Sequence, residues 1–201
     1  MTSRPSAREE ILAGVRRALR DADRSPVQVP RGYRDPRPRA GWVDLFVERV
    51  ADYRAVVVRC APADVEARIA DALPRAGRVL VPEGLTWHVE GAVRDDHLSA
   101  AELDRFPAVV TGATVGIATT GTIVLSHGPG QGRRALTLVP DLHVCVVRAE
   151  QVVPDVPDAI ALLDPGLPTT WVSGPSATSD IELDRVEGVH GPRSLHVLVV
   201  G

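Results

Sequence analysis

Glycine-rich loops that close on arginines are the residues of this sequence best suited to chemistry. The clearest one covers residues 127–134 and ends on Arg133 and Arg134. Its alternate glycines let backbone amides approach a ligand closely, and a guanidinium can bind a carboxylate or phosphate through two parallel hydrogen bonds. The spacing matches neither GxGxxG nor a P-loop, and the chain has no lysine. The loop therefore predicts a site for a small anion, with a tight loop carrying solvent-facing arginines as the alternative.

Three further polar loops follow predicted strands, at residues 119–122, 173–180 and 190–193. Ligands of open α/β sheets bind where such loops meet at the carboxyl ends of the strands. We therefore expect one pocket near Gly121 and Thr122, lined by Arg133 or Arg134 together with His190 and Arg193. The expected ligand-binding residues are Thr120, Gly121, Thr122, Gly130, Gly132, Arg133, Arg134, Ser176, His190 and Arg193.

The combination of Ser176, Asp180 and His190 also suggests a hydrolase triad, which is the weaker interpretation. The nucleophile elbow GxSxG is absent, and Ser176 or Thr178 is better explained as the cap of a short segment that follows. No ligand spacing around His190 or His196 indicates a metal site. We expect His196 to be packed within the last strand and His190 to be the functional candidate, and no catalytic residue is assigned.

These loops require an α/β framework, and the apolar pattern predicts one. The predicted helices cover residues 42–53, 62–73, 100–106 and 155–163, and residues 82–98 are ambiguous. The predicted strands cover residues 55–60, 78–81, 108–111, 114–118, 122–126, 143–148, 170–173 and 195–200. A strand, a helix and a strand with short connections form a βαβ unit. The fold class is therefore α/β, a mainly parallel sheet with flanking helices and some hairpin content.

The amino-terminal segment differs from the rest of the chain. Ser6 and Glu9 have the spacing of a capping box, and apolar residues recur at helical spacing up to Leu19, which predicts an amphipathic helix over 7–21. Residues 24–40 are rich in proline and arginine and predict an extended linker. We expect residues 1–40 to be a helix with its linker and residues 41–201 to be the α/β domain. The apolar stripe of the helix is buried on that domain or on a partner, and both alternatives remain open.

Composition excludes several functions. The chain has 201 residues, a net charge of −3 and 3% aromatic residues, which disfavours nucleic-acid binding. Cys60 and Cys145 are too few for a four-cysteine iron–sulfur cluster or a structural zinc site, so we expect buried thiols and no cofactor or metal. No run of residues resembles a signal peptide or a membrane span, so we expect a soluble, cytoplasmic protein without a membrane partner.

Several ordered motifs together resemble one known family, that of lactate-utilisation protein C, whose unit is the LUD domain. The motifs are Val-Thr-Gly-Ala at 110–113, Ile-Ala-Thr-Thr-Gly-Thr at 117–122, Arg-Ala-Leu-Thr-Leu-Val-Pro-Asp-Leu-His at 134–143, Ser-Gly-Pro-Ser through Asp-Ile-Glu at 173–182, and Gly-Val-His-Gly-Pro-Arg at 188–193. The amino-terminal helix also resembles the start of that family. The resemblance covers nearly the whole chain and is strongest over residues 108–201.

The resemblance implies a fold similar to the group of glucosamine-phosphate isomerase, ribose-phosphate isomerase and CoA transferase (NagB/RpiA/CoA-transferase-like). It also implies a role in oxidising L-lactate to pyruvate with two partner proteins, at least one of which carries iron–sulfur clusters. Members often have glutamate where this chain has Thr119. The covalent glutamyl chemistry of CoA transferases is therefore not expected here.

We therefore expect a non-autonomous component of an L-lactate utilisation system that binds a small anionic ligand or organises its iron–sulfur partners. The alternative is a stand-alone enzyme of the isomerase and CoA-transferase group that acts on a phosphorylated or CoA-linked substrate. A ligand screen separates the two, because a bound ligand raises the melting temperature.

Overall fold

The computed structural model describes residues 6–23, 25, 28–29, 41–75, 77–178, 186–188 and 190–201. The chain divides into two compact units, Met1–Arg34 and Asp35–Gly201. Most of the predicted linker at 24–40, and Asp180, lie outside the described residues. In the part of the chain that the structure describes, no helix has the length and apolar character needed to cross a membrane.

The first unit contains helix α1, Ala7–Ala18, three residues shorter at its carboxyl end than predicted. The capping box is confirmed. Glu9 donates its backbone N–H to Ser6 Oγ at 3.4 Å, and the Ser6 backbone N–H donates to the Glu9 carboxylate at 2.7 Å. These hydrogen bonds from Ser6 stabilise the charged carboxylate and lower the pKa of Glu9.

The second unit contains all the other described elements. Its helices are α2 Trp42–Asp52, α3 Val65–Ala72, α4 Ala100–Leu103 and α5 Val156–Ile160, and short 3-10 helices cover Pro62–Asp64, Arg134–Thr137 and Ala149–Gln151. Its strands are β1 Val56–Cys60, β2 Val79–Val81, β3 Ala92–Arg94, β4 Ala108–Gly112, β5 Val115–Ile117, β6 Thr122–Leu125, β7 Leu142–Arg148, β8 Val152–Val153, β9 Thr170–Val172, β10 Ala177–Thr178, β11 Val186–Glu187 and β12 Ser194–Val200.

A six-stranded sheet in the order β1-β12-β7-β4-β2-β3 forms the centre of this unit, and all its pairings are parallel. The predicted α/β fold with a mainly parallel sheet and an amino-terminal helix is confirmed. The central strands β7 and β12 are valine-rich and mostly buried, as expected for strands covered on both faces. The strands predicted as one βαβ unit, β1 and β2, are parallel but have three strands between them.

A second sheet of four strands, in the order β8-β5-β6-β9, covers one face of the large sheet. It contains the β5–β6 hairpin, which agrees with the predicted hairpin content. Helix α2 completes this layer: a β carbon on Gly116 of β5 would lie 3.0 Å from the Phe46 ring, so only glycine admits the ring there. Helix α3 covers the opposite face through Val65 and Ile69.

The largest differences from the predicted elements are in the irregular segments. Strand β3 lies within the ambiguous residues 82–98, where it is short and mostly exposed and therefore lacks an apolar signal. Helices α4 and α5 are four and five residues long, whereas longer helices were predicted at both places. Strand β10 follows Ser176, and the short segment that Ser176 or Thr178 was expected to cap, which begins near Ser179, lies outside the described residues.

Candidate functional site

A cavity of about 290 Å³ lies beside the first residues of β7 and β12. One wall is the 3-10 helix at Arg134–Thr137, and another is β9 with the loop that follows it as far as Ser176. The turn at 190–192 closes the third side, and His143 forms the floor. The structure thus brings together three of the predicted ligand-binding residues, Arg134, Ser176 and His190.

The cavity occupies the amino-terminal edge of the parallel sheet, whereas the sequence predicted loops meeting at the carboxyl edge. His143 and Leu195, which both line it, are the second residues of β7 and β12. The cavity lies at this edge because of the order of loops and strands along the chain. The polar loops that precede β7 and β12 deliver their residues to the beginnings of those strands.

The floor of the cavity is a neutral histidine. His143 is 1% exposed, and its Nε2 lies 2.8 Å from Thr111 Oγ1 on the neighbouring strand β4. Burial lowers the pKa of His143 to about 4, so the imidazole is uncharged at neutral pH. The sequence interpretation missed this residue as a candidate. Its signal was one histidine in an otherwise apolar strand, a pattern that also fits a packed core residue.

Two further polar side chains continue from this histidine into the core. Thr111 Oγ1 donates to Cys145 Sγ at 3.8 Å, and Cys145 Sγ donates to the Gly112 carbonyl at 3.7 Å. Burial raises the pKa of Cys145 to about 12, so its thiol keeps its proton at neutral pH. Among the described residues, no buried side-chain nitrogen or oxygen lacks a hydrogen-bond partner.

Arg134 is the cation of the cavity wall. Its side chain is exposed and has no hydrogen bond or ion pair with a carboxylate among the residues that the structure describes. An uncompensated guanidinium beside a partly enclosed space is suited to an anionic ligand.

Arg133, next to it in sequence, is held elsewhere. Its Nε lies 2.6 Å from Asp95 Oδ2, its second nitrogen lies 2.9 Å from Asp95 Oδ1, and it also donates to the Leu98 carbonyl at 2.5 Å. The hydrogen bond from Arg133 lowers the pKa of Asp95, whose side chain is only 9% exposed. These contacts join the loop to the segment before α4.

Arg193 lies at an adjoining depression of about 930 Å³ and pairs with Asp141 through two hydrogen bonds of 2.5 and 3.0 Å. Asp141 raises the pKa of Arg193 further. The depression and the cavity share Arg134, Leu138 and His190 in their walls. Arg193 is therefore close to the cavity, with its charge already balanced.

The glycines at 130 and 132 lie at the opposite edge of the sheet. Gly130 donates to the Glu83 carbonyl at 2.7 Å and accepts from the Gly112 N–H at 2.8 Å, which fixes the loop to the ends of β2 and β4. The Gly132 carbonyl accepts from His127 Nδ1 at 3.0 Å. These contacts place both glycines in the structure of the loop and outside the cavity wall.

The turn at residues 120–122 reaches the cavity through hydroxyl groups. Thr120 Oγ1 lies 2.7 Å from Thr122 Oγ1, which lies 2.8 Å from Ser173 Oγ in the cavity wall. Gly121 has a φ of +58°, and a β carbon there would lie 2.6 Å from the backbone of Arg49 in α2. Glycine is thus required at this position for the turn to contact α2.

Among the described residues, which do not include Asp180, the structure gives the triad interpretation no geometric support. Ser176 Oγ accepts a hydrogen bond from the backbone N–H of His190 at 3.0 Å, and the Ser176 N–H donates to the Pro192 carbonyl at 2.8 Å. These contacts use backbone groups and tie two walls of the cavity together. His196 in β12 is partly buried, and burial lowers its pKa.

Comparisons with known proteins agree with this architecture. The model of the LUD domain matches residues 46–200. A protein of Deinococcus radiodurans called "Lactate utilization protein C" is 47% identical over 215 residues, covering all of both chains, and one of the same name from Bacillus pumilus is 35% identical over 57% of this chain and 50% of its own. A crystal structure of a DUF162 family protein from Deinococcus radiodurans is 44% identical, with a TM-score of 0.71 over 83% of this chain and 100% of that one. The chain therefore belongs to the LUD domain family.

Proposed function

We propose that this protein is a component of an L-lactate utilisation system and binds a small carboxylate in the cavity at the amino-terminal edge of its sheet. The full-length relative of Deinococcus radiodurans, at 47% identity, supports the role in lactate utilisation by its name. In this proposal residues 41–201 are the ligand-binding domain, residues 1–40 are an appended arm, and the protein acts in the cytoplasm, where its two free thiols remain reduced.

The observation that carries the proposal is the position of Arg134. Its guanidinium borders a cavity whose other polar side chains include hydroxyls, His190 and the neutral His143. A carboxylate entering this space gains a charge-assisted hydrogen bond without displacing an acidic side chain of the described residues. The volume of about 290 Å³ is at the small end of the roughly 300–1,000 Å³ that ligand pockets occupy, which suits a short acid.

The oxidation itself requires partners in this proposal. Converting a 2-hydroxy acid to a 2-oxo acid removes two electrons and two protons, and amino-acid side chains do not supply an electron acceptor. The sequence has two cysteines, fewer than a four-cysteine cluster needs, and both are buried. We therefore propose iron–sulfur proteins as the partners that receive the electrons.

The test combines growth with binding. A strain that lacks only this chain should fail to grow on L-lactate and should recover with the wild-type copy. By isothermal titration calorimetry, Arg134→Gln should weaken L-lactate binding about 10- to 100-fold, the range expected for one charge-assisted hydrogen bond. Arg68→Gln is the matched control, since it removes an exposed arginine of α3 that pairs with Asp71. Normal growth of the deletion strain would contradict the role, and equal affinity of the two variants would contradict the site.

One observation favours the second candidate, a stand-alone enzyme acting on a phosphorylated or CoA-linked substrate. The cavity and the adjoining depression share the residues Arg134, Leu138 and His190, so a longer anionic ligand could extend across both. A thermal shift assay with CoA, ribose 5-phosphate and L-lactate separates the candidates. A larger increase in melting temperature with CoA or the sugar phosphate than with L-lactate would favour the enzyme.

A further inference from the structure

We propose that the imidazole of His143 accepts a hydrogen bond from the hydroxyl group of the bound acid, so that the cavity prefers 2-hydroxy carboxylates to 2-oxo and unsubstituted carboxylates. This inference rests on the proposed function, because it assigns a ligand class to the same cavity. It adds a residue that determines specificity to the arginine that binds charge.

We infer that Nδ1 of His143 opens into the cavity. Nε2 is occupied by Thr111, and no described residue forms a hydrogen bond with Nδ1. Within the described residues, however, no side-chain nitrogen or oxygen that is fully shielded from solvent lacks a hydrogen-bond partner. Nδ1 is therefore not enclosed by the core, although the residue as a whole is 1% exposed. The space beside the ring is the cavity that His143 lines.

The hydrogen bonds behind the ring determine which of its two nitrogens carries the hydrogen. The Cys145 thiol donates to the Gly112 carbonyl, which can only accept. We place the Thr111 hydroxyl hydrogen in its 3.8 Å contact with Cys145 Sγ, which leaves Thr111 Oγ1 to accept from Nε2–H of His143 at 2.8 Å. In a neutral imidazole with hydrogen on Nε2, Nδ1 carries a lone pair and accepts. The chain of donors thus presents an acceptor to the cavity.

An acceptor at Nδ1 distinguishes between carboxylic acids by the group on their second carbon. With its carboxylate near Arg134, a 2-hydroxy acid can direct its O–H towards Nδ1. A 2-oxo acid offers only an oxygen lone pair at that place, which repels the lone pair of Nδ1, and an unsubstituted acid offers no polar group. A polar group without a partner in a buried site reduces affinity.

The experiment is calorimetric titration of the full chain with L-lactate, propanoate and pyruvate. Wild type should bind L-lactate about tenfold more tightly than the other two acids, which corresponds to one hydrogen bond. His143→Gln places an amide near the position of Nε2 and removes the acceptor at Nδ1, so L-lactate affinity should fall to that of propanoate. His143→Asn keeps a polar group near Nδ1, so part of the preference should return.

The outcomes distinguish this inference from the proposed function. If none of the three acids binds, the carboxylate site itself is wrong. If all three bind with equal affinity and Arg134→Gln weakens each of them, the site stands and the role of His143 is overturned. Nitrogen-15 NMR of the wild-type histidines needs no variant: Nδ1 of His143 should show the resonance of an unprotonated nitrogen, and a protonated Nδ1 would also overturn the inference.

Discussion

Acidification should destabilise this protein through one buried imidazole, that of His143. Its pKa is about 4 in the folded chain, against 6.5 for an unperturbed histidine. Between these two values the unfolded chain binds a proton that the folded chain does not, so the free energy of unfolding decreases as the pH falls. Integrating that difference gives a loss of about 2 kcal/mol between pH 7 and pH 5, and about 3 kcal/mol by pH 4.

Urea unfolding of wild type and His143→Gln at pH 7, 6, 5 and 4 measures this contribution. Carboxylates and His196 titrate in both proteins, so they cancel in the comparison. Wild type should be the more stable protein at pH 7, and its advantage should shrink by about 3 kcal/mol at pH 4. A constant difference between the two proteins from pH 7 to pH 4 would refute the reasoning, because His143 would then titrate as it does in the unfolded chain.

Three further predictions concern Arg133, Gly121 and Cys145, whose neighbouring groups were described above. Arg133→Gln should lower the free energy of unfolding by about 1–3 kcal/mol, because it leaves the largely buried Asp95 without its partner, and should change the Kd for L-lactate less than twofold. Gly121→Ala should cost at least about 2 kcal/mol in thermal or urea unfolding, since a β carbon meets the backbone of Arg49 and the φ is positive. The Cys145 thiol should resist iodoacetamide at pH 8 in the folded protein, because burial raises its pKa to about 12.

Each of these predictions has a contradicting result, and the glycine substitution also has a matched control. Gly128→Ala is the control for the glycine, since a β carbon there has no atom within 4 Å, and equal stabilities of the two alanine variants would contradict the contact. A tenfold loss of ligand affinity in Arg133→Gln would assign that arginine to the site after all. Complete alkylation of Cys145 before unfolding would show that its strand opens in the native state.

Local patterns predicted most of the elements, since apolar runs depend on neighbouring residues alone. The strand expected at 143–148 is one residue longer as β7, and the helix expected at 42–53 is one residue shorter as α2. The order of strands could not be read in this way. Strand β1 pairs with the last strand, β12, which is distant in sequence and brought beside it only by the complete fold.

In the candidate site, too, local residue types predicted some features, and others depended on the complete fold. Residue types identified Arg133 and Arg134 as possible anion ligands, and the sequence offered no means to choose between adjacent arginines. The choice depends on Asp95, which lies 38 residues from Arg133 and pairs with it across the fold. His143 was not chosen because its strand is otherwise apolar, and its hydrogen bond to Thr111 depends on the β4–β7 register.

The hydrogen bond between Thr111 and His143 joins two neighbouring strands, so the floor of the cavity belongs to the large sheet, whereas its walls belong to a 3-10 helix, to β9 and to loops. The two parts can therefore vary independently. Replacing the loop at 173–176 or the turn at 190–192 would change the size and outline of the acid that fits, with the strand pairing beneath left as it is. Relatives with the same threonine and histidine on these strands and different loops should thus recognise the same functional group on acids of different length. Transplanting these loops between two such relatives should exchange their preference for chain length alone.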